Sequence, residues 1–173
     1  YGDGGAIFTN SDSLAEILSS LKNHGKGMYK YDNVRVGINS RLDTIQAAIL
    51  KIKLKAFINV ELEAVNEIQS YYNQRLKEIV EIPVIPKGYY SNFAQYTIKL
   101  NNEQQRNTLQ NNLKENGIPS MVYYPLPMHL QKAFPELPFL MPEYDVTKRL
   151  CKTVLSLPMH PYLSEEEIDV ICE

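Results

Sequence analysis

Three patterns in the sequence predict an α/β fold. A long amphipathic helical period runs through residues 59–80, and Pro83, Pro86 and Gly88 break it. Beyond that break, strand alternation and helical periods follow one another to the end of the chain. Ahead of the 59–80 helix, helical periods and one short strand are expected. Interleaved strands and helices bury their apolar faces most simply as a small α/β sandwich.

In chain order, GDGG at residues 2–5 predicts a turn and residues 6–9 a short strand. Ser11 and Ser13 supply caps for a helix whose Leu14, Ile17, Leu18 and Leu21 keep the i, i+3, i+4, i+7 spacing. Gly25, after His24, suits its left-handed C-terminal position. Residues 26–39 read as a polar, tyrosine-bearing loop. Next, GINSRLDTIQAAIL at 37–50 predicts a helix entered through a capping box of Ser40 with Asp43. Its Leu42, Ile45, Ile49 and Ile52 share one face, and Ala47 and Ala48 permit close approach of another element. The 59–80 helix carries Val65, Ile68, Tyr72, Leu76 and Ile79 as its stripe. After the break, residues 93–100 alternate as a half-buried strand, and a polar helix with Leu109 and Leu113 spans 103–116. A second strand is expected at 118–124, a helix at 143–153, a strand at 154–157 and a helix from Ser164 with an acidic first turn. Residues 125–142 are rich in proline, carry Phe134, Phe139 and His129, and show no period. A loop that long is usually functional when its composition argues against disorder.

Composition excludes several classes. Eighteen Lys and Arg stand against 20 Asp and Glu, a net charge of -2, which makes no electrostatic case for nucleic acid or anionic membrane. No apolar run is long enough to span a bilayer, and no signal-peptide pattern is present. Cys151 and Cys172 have neither CxxC nor metal spacing and read as buried free thiols of a reducing, cytoplasmic compartment. The chain starts at Tyr1 and stops within a helical pattern, SEEEIDVICE, so both boundaries read as cuts through a larger protein.

Few motifs carry chemistry. GDGG lacks the strand–GxGxxG–helix order of a phosphate loop and reads as a structural turn. His24, His129 and His160 show no HExxH or paired spacing, so no metal site is expected. His160, between Met159 and Pro161, reads as a packed structural histidine. No GxSxG elbow is present. Asn39 and Arg41 exceed what a helix start requires, and both suit an anion held near a helix N-terminus. Arg41 fits a solvent or interface ion pair as readily as a ligand group, and Tyr123 and Tyr124 fit a strand at a core edge. From the residues alone, the chain is a piece of an α/β enzyme with a candidate anion site.

A resemblance extends this reading. YGDGGAIFTN, HGKGMYKYDNVRVGINSRLDTIQAAIL, AQYTI, YYPLPMHLQKAF and LSLPMHPYLSEEE, in this order, resemble the DegT/StrS sugar-nucleotide aminotransferases. These are pyridoxal-phosphate enzymes of the aspartate-aminotransferase fold. The resemblance covers nearly the whole chain and implies its C-terminal portion: residues 1–57 as a remnant of the cofactor-binding large domain, 58–82 as a connecting helix, and 83–173 as the small α/β sandwich domain. It also implies that the Schiff-base lysine lies upstream of Tyr1, so this chain holds no catalytic residue and the fragment alone is inactive.

By the same resemblance, Asn39 reaches across a homodimer interface to the cofactor phosphate, and Arg41 lies near the sugar or diphosphate of the substrate. Tyr123 and Tyr124 match a YYP motif near the sugar, His129 matches the histidine of a PLHLQ motif, and Phe93 stands where relatives often have Trp. The 125–142 loop is expected over the substrate side of the pocket. The implied reaction of the intact protein moves an amino group from glutamate to a nucleotide-linked keto sugar, with UDP-linked sugars of surface-polysaccharide synthesis as the nearest wording. A sugar dehydratase with histidine at the lysine position and a non-catalytic dimerisation module remain as alternatives.

Overall fold

The computed structural model describes residues 4–134 and 144–173, which divide into two units, Tyr1–Phe57 and Ile58–Glu173. In the first unit, the Ser11 hydroxyl accepts the Leu14 N–H at 3.3 Å and opens helix α1 (Asp12–Leu21). The turn beyond α1 carries two successive left-handed residues, His24 (φ 61°) and Gly25 (φ 73°). Residues 6–9 do not form the expected strand. Among the described residues no backbone lies alongside to pair with them, and a strand exists only through its ladder.

Helix α2 (Thr44–Ala56) starts later than its sequence pattern suggests. Asp43 occupies the N-cap position without a side-chain bond, so the expected capping box of Ser40 with Asp43 is not made. The backbone gives the reason. A box needs the Ser40 N–H free for the acidic side chain, and here that N–H donates to the Lys22 carbonyl at 3.0 Å.

A π-helical turn, Phe57–Glu61, spans the boundary in sequence, and helix α3 (Leu62–Leu76) follows it in the second unit. Val65, Ile68, Tyr72 and Leu76 are buried along α3, as their period predicts. The helix stops at Leu76, which leaves Ile79 exposed and turns Val80 inward instead. Two strands follow, β1 (Tyr96–Lys99) and β2 (Val154–Leu157), paired antiparallel with Tyr96 opposite Leu157 and Ile98 opposite Leu155. Single bridges widen the sheet on both sides, Glu81 to Lys99 and Met121 to Ser156.

Strand β2 occupies its expected residues, and β1 is shorter than its pattern. Phe93 adopts φ 38° and is buried, so the chain enters β1 only at Tyr96. Residues 118–124 contribute one bridge instead of a strand, because Pro119 has no N–H to extend the ladder.

Helices cover this sheet. Tyr72 of α3 stacks on Tyr96 of β1 with ring centroids 4.6 Å apart, and their hydroxyls donate to the Pro158 carbonyl (2.9 Å) and to Asn73 Oδ1 (2.7 Å). Helix α4 (Glu103–Glu115) is capped by Asn102, whose Oδ1 accepts the Gln105 N–H at 2.9 Å, and Gly117 (φ 75°) follows it. Helix α5 (Asp145–Thr153) leads into β2. Helix α6 (Glu165–Cys172) has a complete capping box between Ser164 and Glu167. Ile68, Tyr72 and Leu76 meet Tyr96, Ile98, Leu113, Leu155, Leu157 and Ile168 in one core. Cys151 and Cys172 are free but half-buried, not fully buried.

Candidate functional site

The segment bearing Asn39 is strapped to the end of α1. The Ile38 N–H donates to Leu21 O (2.9 Å), the His24 N–H to Ile38 O (3.0 Å) and the Ser40 N–H to Lys22 O (3.0 Å). Asn39 sits between these bonds, opposite Asn23 in an isolated antiparallel bridge. Its backbone is therefore held on both sides while its side chain stays exposed.

Two glycines make this strap possible: Gly25, expected from the sequence in a left-handed conformation, and Gly37, which the sequence reading did not single out. A Cβ at Gly37 would collide with the backbone nitrogen of Gly25 and come within 2.6 Å of Leu21 O and His24 C. A Cβ at Gly25 would overlap the Arg35 carbonyl, and its φ of 73° already favours glycine. The paired spacing of HG at 24–25 and VG at 36–37, on either side of a polar loop, is the signal that could have found Gly37 as well.

Arg41 is exposed beside Asn39, and its Nε–H donates to Asn39 Oδ1 at 3.0 Å. Arginine has only donors, so the amide atom facing it has to be the oxygen. That leaves the Asn39 amide N–H pair and the terminal guanidinium nitrogens as an array of donors without protein partners among the described residues. Such an array suits an anion, a phosphate above all. Both residues precede α2 and do not lie in its first turn, so the strap, not the helix N-terminus, positions them.

Tyr123, Tyr124 and His129 lie together in sequence in the second unit. The tyrosine rings meet edge to face, with centroids 5.5 Å apart. Tyr124 is the more exposed, at 68% against 40% for Tyr123. Tyr123 lines a cleft of about 250 Å³ with Gln95, Ser120, Ser156 and Met159. His129 is half-buried in a short 3₁₀ turn, Met128–Leu130, and its ring lies 5.0 Å from that of Tyr144. The rest of the proline-rich loop, residues 135–143, lies outside the described residues. His160 is exposed, not packed: its Nδ1 accepts the Tyr162 N–H at 3.2 Å. Among the described residues no cluster of His, Cys, Asp or Glu could hold a metal, and no helix is long and apolar enough to cross a membrane.

Known proteins match this chain end to end. The sequence is 41% identical to the UDP-2-acetamido-2-deoxy-3-oxo-D-glucuronate aminotransferase of Pseudomonas aeruginosa, over 99% of this chain and 46% of that protein. It is 42% identical to a pleiotropic regulatory protein of Geobacillus stearothermophilus, over 100% of this chain and 46% of that one. The fold superposes on the crystal structure of a DegT DnrJ EryC1 StrS aminotransferase from Brucella abortus with a TM-score of 0.87 and 47% identity, covering 99% of this chain and 45% of that one. The chain thus spans a little under half the length of these relatives. The pattern of the DegT/DnrJ/EryC1/StrS aminotransferase family matches residues 1–173, and the chain belongs to that family.

Proposed function

We propose that a protein of the family's full length carrying this chain is a cytoplasmic homodimer that transfers an amino group from glutamate to a UDP-linked keto sugar. Aminotransferases of the family depend on pyridoxal phosphate. The observation that carries the reading to residues is the Asn39–Arg41 pair, a donor array on a strapped segment. Its chemistry fits the cofactor phosphate. In the proposal residues 1–57 belong to the large domain, 58–82 to a connecting helix and 83–173 to the small domain.

Each residue then has a task. Asn39, acting on the neighbouring protomer's site, donates to the phosphate, and Arg41 adds positive charge where the substrate diphosphate or a sugar carboxylate arrives. Tyr123, Tyr124 and His129 orient the sugar and exclude water from the reacting carbon. When bound, the cofactor supplies an electron sink for the carbon that loses its proton. The sequence resemblance to the Pseudomonas aeruginosa enzyme supports a UDP-linked 3-keto sugar as substrate.

The test is product analysis with the full-length protein, pyridoxal phosphate, glutamate and a UDP-linked 3-keto sugar. An amino sugar formed in step with 2-oxoglutarate supports the reading. A dehydrated sugar without amine transfer would assign the protein to the dehydratase branch. Turnover of neither compound would leave a non-catalytic module as the better account.

A further inference from the structure

We propose that Arg41 is a positioning residue for Asn39: its Nε–H locks the Asn39 amide in the one orientation that presents N–H donors to an anion. The inference rests on the reading of Asn39 as a phosphate ligand and adds a cause for its orientation. An asparagine amide has two flips of similar shape, one presenting hydrogens and the other an oxygen. Toward a phosphate, the first attracts and the second repels. An exposed asparagine in isolation samples both, so part of its binding capacity is lost to the wrong flip.

Here the choice is removed. The Arg41 Nε–H donates to Oδ1 at 3.0 Å, and rotation of the amide would set two N–H donors against a guanidinium N–H. The backbone on either side cannot yield to relieve that clash, because Ile38 and Ser40 are bonded to Leu21 and Lys22. The i, i+2 spacing of NSR therefore works as a unit: the strap places the amide, and the arginine sets its polarity. Lysine offers no planar Nε–H beside a fork of further donors, so it replaces only part of this function.

The experiment measures pyridoxal-phosphate affinity by absorbance titration of the full-length apoenzyme, together with KM for the nucleotide sugar and thermal stability. Asn39→Ala is expected to weaken the cofactor by about fivefold, the equivalent of one net hydrogen bond, and Arg41→Ala by about twofold, the share lost when the amide samples both flips. The double variant is expected to bind no more weakly than Asn39→Ala, because Arg41 acts through Asn39. Asn39→Asp keeps the acceptor for Arg41 but has no donor, and it is expected to bind more weakly than Asn39→Ala. Arg41→Lys is expected to recover part of the affinity.

Multiplying effects in the double variant would overturn the proposal by giving Arg41 its own contact. An Arg41→Ala enzyme with normal cofactor affinity and only a raised sugar KM would overturn it too, while leaving Asn39 in place. Normal affinity in Asn39→Ala would remove both the proposal and the phosphate reading beneath it.

Discussion

Gly37→Ala tests the strap that holds Asn39. The added methyl would lie 2.6 Å from Leu21 O and 2.6 Å from His24 C, and closer still to the Gly25 nitrogen. All three neighbours are backbone, so no side chain can swing aside. Restoring an ordinary contact of about 3.4 Å to that nitrogen requires the two segments to part by roughly 1.3 Å. The Ile38 N–Leu21 O bond, now 2.9 Å, would then stretch to about 4.2 Å, beyond hydrogen-bonding range. The bonds of His24 and Ser40 lie in the same contact and would go with it. At about 1 kcal/mol net for each bond, the loss is roughly 3 kcal/mol, on the order of a hundredfold in the population of the ordered strap.

Amide hydrogen exchange of the full-length protein reads this directly. Protection at His24, Ile38 and Ser40 should fall by about two orders of magnitude while α3 and β2 exchange as before. Pyridoxal-phosphate affinity should drop by about as much as in Asn39→Ala, since disorder of the strap loses that contact and no other. Unchanged protection at these amides, or an alanine enzyme with full cofactor affinity, would refute the reasoning.

Other outcomes follow from the second unit. His129→Ala in the full-length enzyme should lower kcat/KM for the keto sugar about tenfold or more and spare the glutamate half-reaction, with the Tyr144 ring contact adding only about 1 kcal/mol to stability; equal loss in both half-reactions would make His129 a packing residue. Burial pushes the Tyr72 and Tyr96 hydroxyls well above their ordinary value of 10.0, so the unfolded chain loses those protons first as pH rises. Their contribution to stability is complete below pH 10.0 and declines above it toward the raised folded values; chemical denaturation of Tyr72→Phe across that range should show a shallower decline than the wild type. Ser164→Ala should cost about 1 kcal/mol by removing the capping box of α6, measured as a shift in urea midpoint without change in slope.

Where local chemistry decides the structure, the sequence could be read. Ser11 and Ser164 cap their helices because a side chain three residues from its backbone target needs no help from the rest of the fold. The Val65, Ile68, Tyr72, Leu76 stripe was legible through its period. Of the strands, β1 and β2 were legible, but residues 6–9 and 118–124 were not, since they have strand-like composition and pairing depends on distant backbone. The π turn at Phe57–Glu61 has no glycine or proline to announce it in the sequence. At the site, the sequence pattern pointed to a helix start at Ser40, and the helix instead starts after Asp43. The bond from Ser40 N–H to Lys22 O, made across the chain, chose the later one. Asn39 and Arg41 were identified by chemical surplus, but their mutual bond and the two glycines beneath them are properties of the folded strap.

The account stands most directly on where Asn39 points in the complete enzyme. A structure of the full-length dimer with pyridoxal phosphate bound measures this in one step. The expected result is Asn39 Nδ2 at about 2.9 Å from a phosphate oxygen of the neighbouring protomer's cofactor, with Arg41 Nε still on Oδ1. An Asn39 side chain turned to solvent, with the phosphate held entirely by other groups, would contradict it.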